Sequence, residues 1–192
     1  MTRILISLCV LLACTSQAQA QLTTNRSDMW AQPLLVEGVP NLHIVSSNLY
    51  RSAQPNRMGM QNLEKLGVKT VINLRSFNSD RSELKGTKLQ RAHIYMKAWH
   101  PEKKEVLEFL RIATDTNRTP VLVHCQHGAD RTGTMCAVYR MVVQGWTKEE
   151  ALREMQEGGF GYHAIWKNLP SWISKLDVES IRSELGIKTE PL

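Results

Sequence analysis

No stretch of this 192-residue sequence stays apolar for the roughly 18 residues that a membrane-spanning helix needs. No run of five Lys or Arg occurs, so the electrostatic footprint of a nucleic-acid binder is absent. Neither an internal repeat nor a low-complexity tract is present, and of only four cysteines two lie within the first 14 residues. What remains is an ordinary globular composition, 42% hydrophobic and 22% charged with 11 Gly and 7 Pro, which excludes disordered, collagen-like and coiled-coil readings. At this length one domain with a full hydrophobic core is the expectation.

The N-terminus reads as a targeting signal. Arg3 supplies a positive start, Ile4–Ala13 a short apolar segment, and Ala18-Gln19-Ala20 a small-x-small cleavage site. The expectation is an exported protein, periplasmic or secreted, with a signal peptide over 1–20 and a mature chain from Gln21. The alternative is a lipoprotein, because Leu11-Leu12-Ala13-Cys14 looks like a lipobox whose Cys14 carries a lipid anchor. Large Leu12 so near the cut argues for the first. Removing residues 1–20 takes Arg3 and no acid, so the mature net charge is +5 rather than +6. That mild positive field is spread along the chain and suits an anionic substrate.

Residues 21–40 read as a loose N-terminal lead, 41–177 as a catalytic domain and 178–192 as a C-terminal tail. Leu42–Val45 and Leu49–Ser52 read as paired strands, and Met58–Leu66 as a helix stopped at Gly67. Val68–Leu74 is a β-branched strand, 75–91 a charged surface loop, and Ala92–Ala98 a further strand. Pro101 suits the first position of a helix with Glu102 and Glu105 in its first turn. Thr119–His124 has the short apolar run of a strand buried on both faces. Residues 132–144 are apolar on almost every side, which makes that helix central. Gly145 ends it, and Thr147 with Glu150 forms a capping box for a helix to about Glu157. Ile165, Trp166, Leu169, Trp172, Ile173 and Leu176 fall at helical spacing, with Pro170 forcing a kink or restart. The fold class is α/β: a central sheet flanked by helices, with a helical C-terminal half.

The chemistry lies in His124-Cys125-Gln126-His127-Gly128-Ala129-Asp130-Arg131-Thr132-Gly133. A strand ends, a loop of five residues intervenes, and a helix opens. Loop amides ahead of a helix N-terminus converge on one point with the helix dipole behind them, an anion cradle. Gln126, His127, Gly128, Ala129, Asp130 and Arg131 form it, Gly128 allowing the tight turn. Arg131 adds a fork to two phosphate oxygens. Cys125 lies on the floor, where the positive surroundings favour a thiolate placed for in-line attack on phosphorus. The Thr132 hydroxyl is positioned to ease departure of the sulfur. A buried cysteine in an unremarkable turn explains neither Arg131 nor Gly128.

This segment, His-Cys-x5-Arg-Thr-Gly, resembles the signature loop of the cysteine-dependent protein tyrosine and dual-specificity phosphatases. A looser resemblance to compact bacterial dual-specificity-like members runs from about Asn41 to Leu176 and includes Leu49-Tyr50-Arg51-Ser52 and Val71-Ile72-Asn73-Leu74-Arg75. The resemblance implies a mostly parallel sheet flanked by helices, a phosphocysteine on Cys125, Arg131 as phosphate clamp, Thr132 as helper, and neither metal nor other cofactor.

The sequence departs from that pattern at the general acid. Family members usually carry an Asp on a loop about thirty residues before the cysteine, and here no Asp lies between Asp80 and Asp115. The stretch Trp99-His100-Pro101-Glu102 offers His100 or Glu102. Asp130 is favoured, because its place resembles the Cys-x4-Asp-Arg loops of myotubularins and of some secreted bacterial phosphatases. A proton donor to the leaving group is worth typically 10²–10⁴-fold. His124 orients the cysteine backbone. With Cys125 and His127 it makes no metal set, since neighbouring strand residues point to opposite faces and no fourth ligand is evident. Arg75, Arg81, Lys85, Lys88 and Lys97 are candidates for a basic rim, with a solvated surface the better reading for most. Cys136 reads as core, and its place eleven residues on, in mid-helix, makes a bond to Cys125 awkward.

The leading reading is a phosphomonoester hydrolase acting on a phosphoprotein or a small phosphomonoester. A catalytically weak phosphate-binding module is the alternative, weakened by the presence of both Cys125 and Arg131. Sulfur transfer or arsenate reduction is a third, the latter asking for a resolving cysteine. Tyrosine, serine/threonine, inositol and lipid phosphates all fit such a loop, and the Asp-Arg pair favours broad specificity.

Overall fold

The computed structural model describes residues 27–187. The signal segment with its cleavage site, Cys14 and Gln21 lie outside the described residues, as do residues 188–192. A first unit ends at Trp30, and its described part is a turn in which the Trp30 amide donates to the Ser27 carbonyl at 3.0 Å. The second unit, from Ala31 onward, carries the sheet and every helix found among the described residues.

Six strands form one mixed sheet: β1 (Gln32–Pro33), β2 (His43–Ser46), β3 (Leu49–Ser52), β4 (Thr70–Asn73), β5 (Gln90–His93) and β6 (Val121–His124). Their spatial order is β1-β2-β3-β6-β4-β5. The β1/β2 and β2/β3 pairs are antiparallel, whereas β3, β6, β4 and β5 run parallel. Six helices complete the unit: α1 (Arg57–Lys65), α2 (Lys103–Ala113), α3 (Asp130–Gln144), α4 (Lys148–Glu157), α5 (Asn168–Ser174) and α6 (Val178–Leu185).

Strand period sorts the core into two layers. Leu122 and Val71, in register on β6 and β4, face α1 through Met60 and Leu63. Their neighbours Val121, Val123 and Ile72 face the larger core built from α2 to α6. α3 lies in the middle of that core with nearly all of its residues buried, as its all-round apolar sequence predicts. It ends at Gly145, whose φ of 74° closes the last turn. The Thr147–Glu150 capping box opens α4 as expected.

Several boundaries differ from the sequence reading, each for a local reason. The expected Ala92–Ala98 strand is β5, which begins two residues earlier and already ends at His93. The ladder ends where the Ile94 amide meets the Asn73 carbonyl, after which the Met96 amide turns back onto Ile94. Pro101 precedes the N-cap of α2 instead of opening it, because the Glu105 carboxylate accepts the Glu102 amide at 2.9 Å and sets the start at Lys103. Pro170 restarts the chain inside the first turn of α5, where its missing amide costs nothing. Within the lead, Gln32–Pro33 joins the sheet edge. The expected tail contains α6, with the Asp177 side chain capping the Ser180 amide, Gly186 at a φ of 64° closing it, and Ile181 buried in the core.

Candidate active site

Ser52, His124 and Asn73 are in register at the carboxyl ends of β3, β6 and β4. That edge of a parallel sheet is where such folds bind ligands. Cys125 follows β6 and is buried, and α3 begins five residues later. The loop between them turns at Gly128, φ 71°, packed so closely on β3 that an added Cβ would stand 2.5 Å from the Ser52 carbonyl and the Ala53 amide. Only glycine combines that φ with that proximity.

Three anchors fix the loop from outside. The Gln126 carbonyl accepts the Gln54 amide at 3.2 Å. The His127 carbonyl accepts the Asn41 side chain at 3.0 Å. The Gly128 carbonyl accepts the Arg51 guanidinium at 2.8 Å. Arg51 is almost wholly buried, and its guanidinium lies over the Phe160 ring, 3.6 Å from the centroid. The sequence reading quoted Arg51 within a resemblance and gave it no role. Nothing local signals one, since its partner is 77 residues away.

Beneath the cysteine is a buried polar network. His124 Nδ1 meets the Cys125 carbonyl at 3.0 Å and Nε2 meets Asp80 at 2.9 Å, both side chains fully buried. Both ring nitrogens thus face acceptor oxygens. Asp80 also accepts the Arg75 guanidinium at 2.8 Å. Burial pushes the Asp80 carboxyl up, but the hydrogen bond and charge of His124, then the charges of Arg75 and His93, outweigh it and hold the group below its ordinary value. Arg75 further bonds Asn73 and Gln54. It is therefore an internal support, neither rim nor solvated surface, whereas Arg81, Lys85, Lys88 and Lys97 are exposed.

Arg131 is half-buried in the first turn of α3, and its one side-chain hydrogen bond among the described residues, to the Leu74 carbonyl at 3.5 Å, leaves the fork available. The Thr132 hydroxyl is buried with no hydrogen-bond partner. Cys136 is buried on α3 with its thiol pushed up to about 11 by burial, and both it and Cys125 are free.

The acid candidates separate. Glu102 caps α2 and pairs with Lys104 at 2.8 Å; that bond holds its carboxyl below the ordinary range, the wrong direction for a proton donor. His100 is exposed, 4.0 Å from Glu102. Asp130 is buried in the loop, with both carboxylate oxygens taken by one residue. Oδ1 accepts the His163 amide at 2.9 Å, and Oδ2 accepts its Nδ1 at 2.8 Å. His163 escaped the sequence reading.

A family profile described as "DSP-PTPase phosphatase fused to NAD+ Kinase" matches residues 42–168. The dual specificity protein phosphatase TpbA of Pseudomonas aeruginosa is 39% identical over 164 residues, covering 85% of this chain and 74% of that protein. Its crystal structure superimposes with a TM-score of 0.75 over 84% of this chain and 99% of that chain, at 38% identity. A cysteine-to-serine variant of TpbA solved in complex with pTyr gives the same TM-score, 0.75, over 84% of this chain and 99% of that chain, at 37% identity. The inositol diphosphatase DSP5 of Arabidopsis thaliana is 31% identical over 132 residues, covering 62% of this chain and 61% of that protein. With a cysteine at the end of the central strand and an arginine in the next helical turn, the chain belongs to the DSP-PTPase phosphatases, metal-independent enzymes that hydrolyse phosphomonoesters through a cysteine.

Proposed function

We propose that this phosphatase acts on phosphorylated tyrosine, serine and threonine side chains of proteins outside the cytoplasm, with Cys125 as nucleophile and Arg131 as phosphate clamp. The observation that carries the assignment of residues is the β6–α3 junction, where Cys125, the Gly128 turn and Arg131 share one loop at the head of the central helix. The cradle amides of Gln126, His127, Gly128, Ala129 and Asp130 and the Arg131 fork hold the equatorial oxygens. The Cys125 sulfur attacks phosphorus in line with the leaving oxygen, forming the S–P bond as the P–O bond breaks. The transition state is loose, so fixed donors around those oxygens supply most of the stabilisation. In the second step water attacks the phosphocysteine, and the unpartnered Thr132 hydroxyl serves the departing sulfur.

A protein substrate is supported by the pTyr complex of the TpbA variant. It is also supported by an open cavity of about 460 Å³ beside Gln126, Gln54 and Arg57, with room for residues flanking a phosphorylated side chain. The name of the Arabidopsis relative favours a second reading, a polyphosphorylated inositol. The test is p-nitrophenyl phosphate hydrolysis by residues 21–192 under reductant without added metal, followed by phosphopeptides and inositol phosphates. Activity lost in Cys125→Ser, with phosphopeptides preferred, is the expected result. Folded protein that binds vanadate without turnover overturns the residue assignment, and preference for inositol phosphates replaces the protein substrate.

Export rests on Arg3, Ile4–Ala13 and Ala18-Gln19-Ala20. Fractionation and N-terminal mass analysis are expected to find a chain beginning at Gln21 outside the cytoplasm. A lipidated Cys14 N-terminus instead selects the anchored form, and an intact Met1 in the cytoplasm overturns export.

A further inference from the structure

The loop that supplies an acid in relatives is empty of Asp here, and its Glu102 is committed to a cap and an ion pair. A second imidazole, that of His163, is nonetheless bonded to the phosphate loop through Asp130. The segment from Gly158 to His163 carries glycines at positive φ, 78° at Gly159 and 82° at Gly161. Two side chains hold that segment against the phosphate loop. Asn41 donates to the Phe160 carbonyl at 3.0 Å and at the same time to the His127 carbonyl at 3.0 Å. Asp130 grips His163 by its amide and its ring, as above.

That grip has a chemical consequence. A carboxylate only accepts, so His163 Nδ1 carries its hydrogen toward Asp130 and the other ring nitrogen, Nε2, is left without a protein partner. A carboxylate behind an imidazole fixes the orientation of the ring. The ring is about half exposed, is bonded to Asp130 at the end of the phosphate loop, and its centroid lies 5.4 Å from that of His127 in the same loop. Each Asp130 oxygen already accepts a bond from His163.

We infer that His163 is the general acid of this phosphatase and that Asp130 is its positioning residue. The inference rests on the phosphocysteine reading above. In the first step His163 Nε2 gives its proton to the leaving oxygen as the P–O bond breaks and the S–P bond forms, so the product leaves as the neutral alcohol or phenol. In the second step water attacks the phosphocysteine and the S–P bond breaks, returning the Cys125 thiolate, while the ring, now neutral, regains its proton from solvent. Inorganic phosphate departs and the imidazolium is restored.

The experiment compares a good leaving group with a poor one. Wild type, His163→Asn and Asp130→Asn are assayed on p-nitrophenyl phosphate and on phenyl phosphate, with vanadate affinity measured on each. Asparagine at 163 retains an N–H donor toward Asp130 and loses the free ring nitrogen. Expected are nearly equal wild-type kcat values on the two substrates. In His163→Asn, phenyl phosphate turnover falls by about 100-fold or more, p-nitrophenyl phosphate turnover falls only a few-fold, and vanadate binding is kept. Asp130→Asn shows the same skew with smaller amplitude. Equal losses on both substrates, or no loss on either, overturn the proposal. Should the variants fail to bind vanadate, the wild type decides: a steep preference for p-nitrophenyl phosphate means that no proton donor acts. A wild type inactive on both substrates rejects the phosphocysteine reading instead, which separates the two failures.

Discussion

Arg51 on β3 and Gly128 in the catalytic loop are joined by one 2.8 Å bond, guanidinium to carbonyl, inside a region that excludes water from both. The charge is placed to orient a carbonyl away from the cradle, so that the loop amides remain turned toward a bound phosphate. The Phe160 ring stacked on the guanidinium couples the same arginine to the segment that carries His163.

Replacing Arg51 by methionine keeps much of the packing and removes the donor. The Gly128 carbonyl is then buried without a partner, at a cost of about 1–3 kcal/mol. The expected outcome is a lower Tm together with a fall of roughly tenfold or more in kcat/KM on p-nitrophenyl phosphate, since about 1.4 kcal/mol corresponds to a factor of ten. Thermal denaturation and steady-state kinetics check it; unchanged kcat/KM would show that the loop holds its shape without Arg51.

Gly128→Ala tests the loop from the other side. An added methyl meets Ser52 and Ala53 backbone at 2.5 Å and requires a φ that alanine avoids, so the loop must move off β3. Displacement of a positioned group by about 1 Å costs on the order of 100-fold. We expect that loss in kcat/KM and a comparable weakening of vanadate binding, with circular dichroism unchanged.

The cradle was legible because its parts are consecutive: strand, cysteine, glycine turn and clamping arginine lie within ten residues, and local rules place each of them. The central helix and the α4 cap were legible for the same reason. What surrounds the cradle is long-range. Asp80 meets His124 across 44 residues, Arg51 meets Gly128 across 77 and His163 meets Asp130 across 33, separations that no periodicity reports. Arg75 shows how this misleads, since a charged residue after a strand reads as surface until its buried carboxylate partner is known. The α6 helix carried signals in Asp177 and Gly186 that its short, polar sequence obscured.

The Asp80–His124 pair makes stability depend on pH in a definite sense. The folded Asp80 carboxyl lies below its ordinary value, which in unfolded chains is near 3.9. Its contribution is therefore complete above that value and fades as pH falls through the folded value. Asp80→Asn breaks a buried pair and is expected to lose on the order of 3 kcal/mol near neutrality. The Tm difference between wild type and variant should narrow as the pH is taken from 7 to 3. A difference that stays constant over that range would mean that Asp80 does not act as a carboxylate in the folded protein.

A further buried ion pair joins α3 to α4 and yields a prediction about folding. Arg140 on α3 and Glu154 on α4 pair through two parallel bonds, Nε to Oε2 at 2.8 Å and Nη2 to Oε1 at 2.7 Å. Oε1 also accepts the Ala31 amide at 2.6 Å, and Arg140 Nη1 reaches the Val45 carbonyl at 3.1 Å. The pair thus clamps β2, the two helices and the chain leading into β1 at a single buried point. In Glu154→Gln the arginine keeps its charge without a counter-charge, a change that costs about 3–5 kcal/mol in buried pairs. Urea denaturation is expected to show a midpoint shifted by that loss with an unchanged slope, while p-nitrophenyl phosphate turnover by the fraction still folded stays near wild type. A parallel loss of turnover by fully folded protein would instead mean that the α3–α4 clamp sets the geometry of the phosphate loop at the head of α3.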